Sequence, residues 1–365
     1  MRQTLFRINI GNLWSFEPLD GVTGIGAGYL LLLGLIVWAI SIVRERRSGP
    51  VADQPFWPQL IAPAAAVAIV LGLSIQTPPF MRNGVPVFGY GAMVFLGFVF
   101  GGWTALRRAK SAGIDPEAIW DLITWVFVAG IGGARVFYLV QKHKKVFEDV
   151  AGPGDFVFRV VNLTDGGLVL LGGVMAVAVA VVLFCGRRGI SPLRMGDVLV
   201  PSFFVGLGFG RIGCLMNGCC FGDRCDLAWA VHFPQESAAW GALVHRGYLG
   251  PESPLTYGLH PTQIYSSISA FLLAGLTAVY FRQRPFDGAV LVVGMILYSA
   301  KRVVIEFLRG DELGQFGTMF TISQWISAGI FVGGLVLLFW LTEWDRRRSQ
   351  PAKSVEPAPA PVGER

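Results

Sequence analysis

Charge is scarce in this sequence. Asp, Glu, Lys and Arg make up only 15% of its 365 residues, histidine occurs four times and cysteine five times, while 53% of the chain is hydrophobic and the mean hydropathy is +0.56. Soluble domains carry about 25% charged residues, so this deficit excludes a soluble globular chain and describes a polytopic membrane protein. A cleavable signal peptide is also missing. Met1 to Asp20 has neither the compact apolar core nor the small-residue cleavage site that such a segment requires, so the first span is read as retained. No stretch between apolar runs is long enough to fold alone as a soluble domain. The net charge of +6 could suit nucleic acid, but the basic residues fall in short clusters at the ends of apolar runs, as in cytoplasmic loops. That charge is read as topology, with no nucleic-acid partner.

What the chain has in abundance is apolar windows of about twenty residues, the length that crosses about 30 Å of hydrocarbon. They fall near 24–43, 58–75, 87–106, 118–140, 166–185, 196–215, 261–282, 287–308 and 321–341; the second is short and rich in alanine. Arg44, Arg46 and Arg47 follow the first window, Arg107, Arg108 and Lys110 the third, Arg187 and Arg188 the fifth, Arg282 and Arg284 the seventh, and Arg346, Arg347 and Arg348 the last. Every second end is positive. That pattern places these ends and the C-terminus in the cytoplasm, and the N-terminus and the segment from Asn217 to His260 outside, across an inner (cytoplasmic) cell membrane. Lys142, Lys144 and Lys145 run against it, moderated either by the adjacent Glu148 and Asp149 or by anionic headgroups. The outer segment carries Trp229, Trp240 and Tyr248, which favour the headgroup zone, and is read as a lid region over 217–260. The tail 346–365 ends in PAKSVEPAPAPVGER and is read as disordered.

Charged groups inside a span cost a few kcal/mol on insertion scales and normally mark a functional path. Arg135, Arg211, Arg302, Glu306 and Arg309 are in this position. Arg302 and Glu306, four apart on one expected helix, share a face and can pair, either as a structural lock between helices or as part of a site. Arginines outnumber the one intramembrane glutamate, and a lipid phosphate is the anion that a guanidinium fork matches. Arg211 lies in GRIGCLMNGCCFG, Gly210 to Gly222. Gly206 and Gly208 suit close helix packing, whereas Gly218 and Gly222 break the helix and bare backbone N–H groups beside the arginine.

Cys214, Cys219, Cys220 and Cys225 are crowded, whereas Cys185 is isolated. Spacings of five, one and five do not match the paired C-x-x-C of a structural zinc site, so no metal and no cofactor is expected. A disulfide on the outer face is the expectation instead, with Cys214 a small packing residue. His260 opens HPTQIY at the outer end of a helix and reads as a headgroup ligand or a helix-entry residue. His143, His232 and His245 have no partner that the sequence identifies.

GRIGCLMNGCCFG resembles the signature of the prolipoprotein diacylglyceryl transferase family, G-R-x-G-N-F-x-N-G-E-x-x-G. Other blocks resemble the family in its own order: YGAMVFLGF from Tyr90, GARVFY from Gly133, DGGLVLLGG from Asp165, LHPTQIYSS from Leu259, RVVIEFLR from Arg302 and TISQWIS from Thr321. The resemblance covers about 85–341. It implies an all-α, seven-helix membrane core over 85–345 with an extra N-terminal helix pair over 24–84, preceded by an outer segment, 1–23. It also implies transfer of a diacylglyceryl group from phosphatidylglycerol to the lipobox cysteine of a prolipoprotein at the bilayer. Arg211 then corresponds to the essential lipid-binding arginine, with Asn217 and Gly222 in the same signature, and Arg302 and Glu306 to the second essential arginine and its carboxylate. Tyr90, Arg135, Tyr138, Gln263 and Arg309 correspond to lipid-pocket residues.

The chain also departs from the family pattern. The family's H-G-G histidine aligns with Leu171, the signature asparagine and glutamate with Cys214 and Cys219, and the glutamate after the H-P-x-Q-x-Y tyrosine with Ser266. A thiol of pKa near 8.5 must lose its proton to attack, and leucine cannot accept it. In the favoured reading transfer continues, with arginines stabilising the phosphate and Glu306 or His260 accepting the proton. In the alternative the chain is a diverged paralogue that binds an anionic lipid or modifies another acceptor. Retention of costly intramembrane arginines favours the first.

Overall fold

The computed structural model describes residues 4–16, 18–19, 22–48, 83–148, 152–162, 167, 169–309, 317–318 and 320–349, with five further positions between 64 and 71. Most of the second apolar window, Asp165 and Gly166 of the DGGLVLLGG block, and the tail from Gln350 lie outside the described residues. The chain divides into two compact units, Met1–Leu96 with Phe209–Gln263, and Gly97–Gly208 with Ile264–Arg365.

The structure is mostly helical. In chain order the helices are α1 (Ala27–Ser48), α2 (Gly89–Ser111), α3 (Pro116–Gln141), α4 (His143–Phe147), α5 (Pro153–Val161), α6 (Leu170–Arg188), α7 (Pro192–Asn217), α8 (Ala238–His245), α9 (Thr262–Phe281), α10 (Ala289–Glu306) and α11 (Ile322–Ser349). Six of them, α2, α3, α6, α7, α9 and α11, are long and apolar enough to cross a membrane. Their outward side chains include Phe95, Val128, Leu183 and Phe339, all exposed, as lipid-facing surfaces require. Two of the expected spans form helices that fall short of this standard. The apolar part of α1 is only Ala27–Ile40, and α10 ends in Lys301, Arg302 and Glu306.

A small sheet joins the N-terminal segments, an addition that the all-helical expectation did not contain. Strands β1 (Thr4–Asn9), β2 (Pro18–Leu19), β3 (Val22–Gly26) and β4 (Val85–Phe88) lie in the order β2-β3-β1-β4. β1 runs parallel to β3 with Ile8 opposite Ile25, and antiparallel to β4 with Ile8 opposite Val85.

In the second unit, small residues let helices touch. A Cβ placed on Gly133 of α3 would fall 2.2 Å from the Ala176 Cβ of α6, and one on Gly172 would fall 2.2 Å from the Phe137 Cβ. Backbones at this range gain dispersion contact that larger residues would forbid. The buried Asp197 of α7 accepts from the amides of Gly288 and Leu291 at 2.8 and 2.9 Å, so one helix caps the N-terminus of another, α10, where a negative charge is favoured. Arg284 stands 3.6 Å from the same carboxylate. Sequence reading singled out neither Asp197 nor this cap.

In the first unit the stretch 217–260, expected outside the membrane, is a packed body. Phe221, Phe233, Ala239, Leu243 and Leu259 form its core, α8 is capped by the Ser237 hydroxyl accepting from the Trp240 amide, and Leu259 bridges both Arg224 and Val231.

Candidate functional site

The signature closes α7 and then folds back on itself. Gly213 lets the start of α2 approach, since a Cβ there would lie 3.1 Å from the Tyr90 ring and 3.3 Å from its main chain. The helix stops at Asn217 because Gly218 turns left-handed at φ +73°, and Cys220 repeats this at φ +59°. Gly222 donates its amide to the His260 carbonyl at 2.9 Å, and the His260 amide donates to Asp223 at 2.9 Å. The Thr262 hydroxyl donates to the Cys220 carbonyl and the Gln263 side-chain amide to the Cys219 carbonyl, both at 2.8 Å. The two motifs, up to 44 residues apart in the chain at these contacts, are thus one structural element. This brings Gly222 of the signature together with His260 and Gln263 of the HPTQ segment. Thr262, which the sequence reading did not single out, proves to be a holding residue.

Arg211 is half-buried on α7. It lies in the electrostatic neighbourhood of Tyr90, and it makes no hydrogen bond or ion pair among the described residues. The sulfurs of Cys214, Cys219 and Cys220 lie within 4.8 Å of one another, and the Asn217 side chain reaches the Cys219 thiol. All five cysteines are free, so the disulfide expected on the outer face is not formed. Cys225 is buried elsewhere in this unit, its amide bonded to the Gly258 carbonyl. Beside the signature, Asn217, Gly218, Gln235 and Glu236 help line a cavity of about 190 Å³.

The second unit carries the other arginines. Arg302 lies 2.9 Å from the Glu306 carboxylate, as their four-residue spacing predicted, and Arg309 approaches the same oxygen at 3.7 Å. The other Glu306 oxygen accepts from the Thr321 hydroxyl at 3.0 Å, and Arg302 also donates to the Ser323 hydroxyl at 2.9 Å. Thr321 is itself held by Gln324. Two guanidiniums share one fully buried carboxylate, which leaves the cluster a net positive charge. Thr321, Ser323 and Gln324 come from the start of α11, and no spacing rule links them to Glu306.

Arg135, which the resemblance assigns to the lipid pocket, is engaged by main-chain carbonyls. It donates to the carbonyls of Arg159, Val160 and Gly167, and its guanidinium lies 5.3 Å from the centre of the Tyr138 ring. Gly167 makes this possible. It holds φ +85°, and a Cβ there would come within 2.7 Å of Arg135 and 2.6 Å of Tyr138. Arg135 thus ties the last turn of α5 to Gly167. Leu171, in the first turn of α6, is exposed.

Residues 78–340 match the family model described as prolipoprotein diacylglyceryl transferase. Among curated relatives, the phosphatidylglycerol–prolipoprotein diacylglyceryl transferase of Rhodopirellula baltica is 28% identical over 93% of this chain and 89% of its own. The enzyme of the same name from Clostridium tetani is 33% identical over 68% of this chain and 93% of its own, and that from Erwinia tasmaniensis 32% over 74% and 92%. With the signature, the HPTQ segment and the arginine–glutamate cluster all in place on a multi-pass helical frame, the chain belongs to the prolipoprotein diacylglyceryl transferase family.

Proposed function

We propose that this chain transfers the diacylglyceryl group of phosphatidylglycerol to the lipobox cysteine thiol of a prolipoprotein, forming a thioether and releasing glycerol phosphate, the first step of lipoprotein maturation. The observation that carries the reading is Arg211, a half-buried guanidinium on a membrane-spanning helix with no anionic partner among the described residues. Such a charge costs a few kcal/mol unless an anion meets it, and the phosphodiester of a lipid supplies two oxygens in the geometry that guanidinium prefers.

The Arg302, Arg309 and Glu306 cluster supports the same chemistry. The leaving phosphate gains negative charge as its carbon–oxygen bond breaks, and prearranged cations stabilise that charge without reorganising. Glu306, engaged by both arginines and Thr321, orients the guanidiniums. Tyr90, Asn217, Gly222 and Gln263 shape the wall around Arg211, and Arg135, beside Tyr138, ties the last turn of α5 to Gly167. His260, tied to the signature by its main chain, is the proton acceptor of this reading. The protein lies in the cytoplasmic membrane with its N-terminus outside and the basic helix ends, Arg107, Arg108, Arg187, Arg188, Arg282 and Arg284, facing the cytoplasm.

The test is Arg211→Ala, assayed with phosphatidylglycerol and a lipobox peptide. Transfer falls by about 100-fold or more, while the protein stays folded and inserted; near-normal turnover would defeat the reading. Expression in a cell depleted of its own transferase separates enzyme from paralogue. Rescue supports the enzyme, and continued accumulation of unmodified precursor with the protein correctly inserted supports the paralogue.

A further inference from the structure

We propose that Cys214, Cys219 and Cys220 form a three-thiolate zinc site whose open fourth position takes up the acceptor cysteine as a thiolate. This would activate the acceptor thiol where Leu171 stands in the histidine position, and His260 would take the released proton. The inference rests on the transfer reading above and adds a metal centre to it.

The three sulfurs lie within 4.8 Å of one another. Zinc with Zn–S bonds of about 2.3 Å and tetrahedral angles needs its sulfurs about 3.8 Å apart, so small side-chain rotations close the set. Spacings of five and one argue against shared ligation only where the backbone is regular. Here Gly218 and Cys220 are both left-handed, at φ +73° and +59°, a region that residues other than glycine enter infrequently. These turns fold the chain back until two adjacent thiols meet the thiol on the last turn of α7. The frame is pinned from outside by Thr262 and Gln263, through the carbonyls of Cys220 and Cys219.

The chemistry of the set points to the ion and to its use. Thiolates alone select zinc or cuprous copper over magnesium and calcium. All three cysteines are half-buried, as an open centre requires and a sealed structural one does not. Gln263 is 1% exposed, and its Oε1 has no hydrogen-bond partner among the described residues. It belongs to the same amide group whose nitrogen holds Cys219. Arg211 precedes Cys214 by three residues, about one helical turn, so the phosphate it holds stands beside the thiolates and its charge offsets theirs.

The step balances without redox chemistry. The acceptor thiol binds zinc as a thiolate and gives its proton to His260. A sulfur lone pair attacks the glyceryl carbon bonded to phosphate, the C–S bond forms and the C–O bond breaks. The phosphate oxygen keeps the bonding pair and leaves as glycerol phosphate. The thioether product dissociates and zinc is unchanged.

The test uses the full-length protein in detergent, reduced and purified without chelator. Metal analysis should find about one zinc per chain, the count set by a single site, with Cys225→Ser retaining it and Cys214→Ser, Cys219→Ser and Cys220→Ser each losing most of it. In the cobalt-substituted wild type, a lipobox peptide should shift the visible d–d bands and its serine-for-cysteine analogue should not. Stripping zinc from the wild type should lower transfer about tenfold or more, with recovery on adding zinc back. Absence of zinc and cobalt binding, two of the three thiols found joined as a disulfide, or full turnover after stripping would each overturn the proposal. Full turnover without metal would leave the transferase reading standing, whereas zinc and peptide binding without transfer would retire the transferase reading and keep the site.

Discussion

The Arg302 guanidinium meets the Glu306 carboxylate at 2.9 Å, and Arg309 approaches the same oxygen at 3.7 Å. One acid therefore fixes two cations in a buried setting, where removing it leaves both charges uncompensated.

Glu306→Gln keeps the shape and removes the charge. Expected is a stability loss of about 3–5 kcal/mol, the usual cost of breaking a buried pair, together with a large drop in transfer as both guanidiniums lose their orientation. Thermal unfolding in detergent and initial rates check both effects. A variant as stable and as active as the parent would show that Glu306 holds nothing in place.

Gly167→Ala should be disproportionately harmful for one methyl group. The left-handed backbone costs about 1–3 kcal/mol, and the Cβ would enter the Arg135–Tyr138 contact. Hydrogen exchange should then rise over α5, whose last carbonyls Arg135 holds. Unchanged exchange there would mean that Arg135 is not the fastening.

Thr262→Val preserves volume but removes the hydroxyl that donates to the Cys220 carbonyl at 2.8 Å. At a residue only 2% exposed the loss should be about 1–3 kcal/mol, the penalty for an unsatisfied buried acceptor. Transfer should fall with it, because the turn after Gly218 loses its brace. Melting temperature and turnover measured on the same preparation decide whether the two effects move together.

Leu171→His returns an imidazole to the first turn of α6. The side chain is exposed, so the change should be accepted without loss of folding, and transfer should hold or rise. A sharp loss of activity in a stable variant would indicate a site rebuilt around leucine.

The sequence revealed some of these relationships and concealed others, each for a definite reason. Arg302 and Glu306 could be read because a helix places residues four apart on one face. Thr321 could not, since it reaches the same carboxylate from the entry to α11 through packing that no periodicity encodes, whereas Arg309 follows Glu306 by three residues. The membrane spans stood out wherever twenty apolar residues ran together, and α10 was blurred by its three charges. The N-terminal sheet was hidden because β1 pairs with β3 and with β4 some 80 residues away, from strands too short to show alternation. Among the cysteines, the sequence showed crowding but not which three thiols converge, because the left-handed turn at Cys220 leaves no mark in composition.

The contact between Gly133 and Gly172 leaves α3 and α6 no room to slide or to admit an acyl chain between them. Their seam is shut, and the Val169 amide adds a bond to the Ala134 carbonyl at 3.1 Å. A bulky lipid that enters and leaves this protein sideways must therefore use some other gap between helices. Replacing either glycine by valine would force the pair apart and open a lateral leak between α3 and α6.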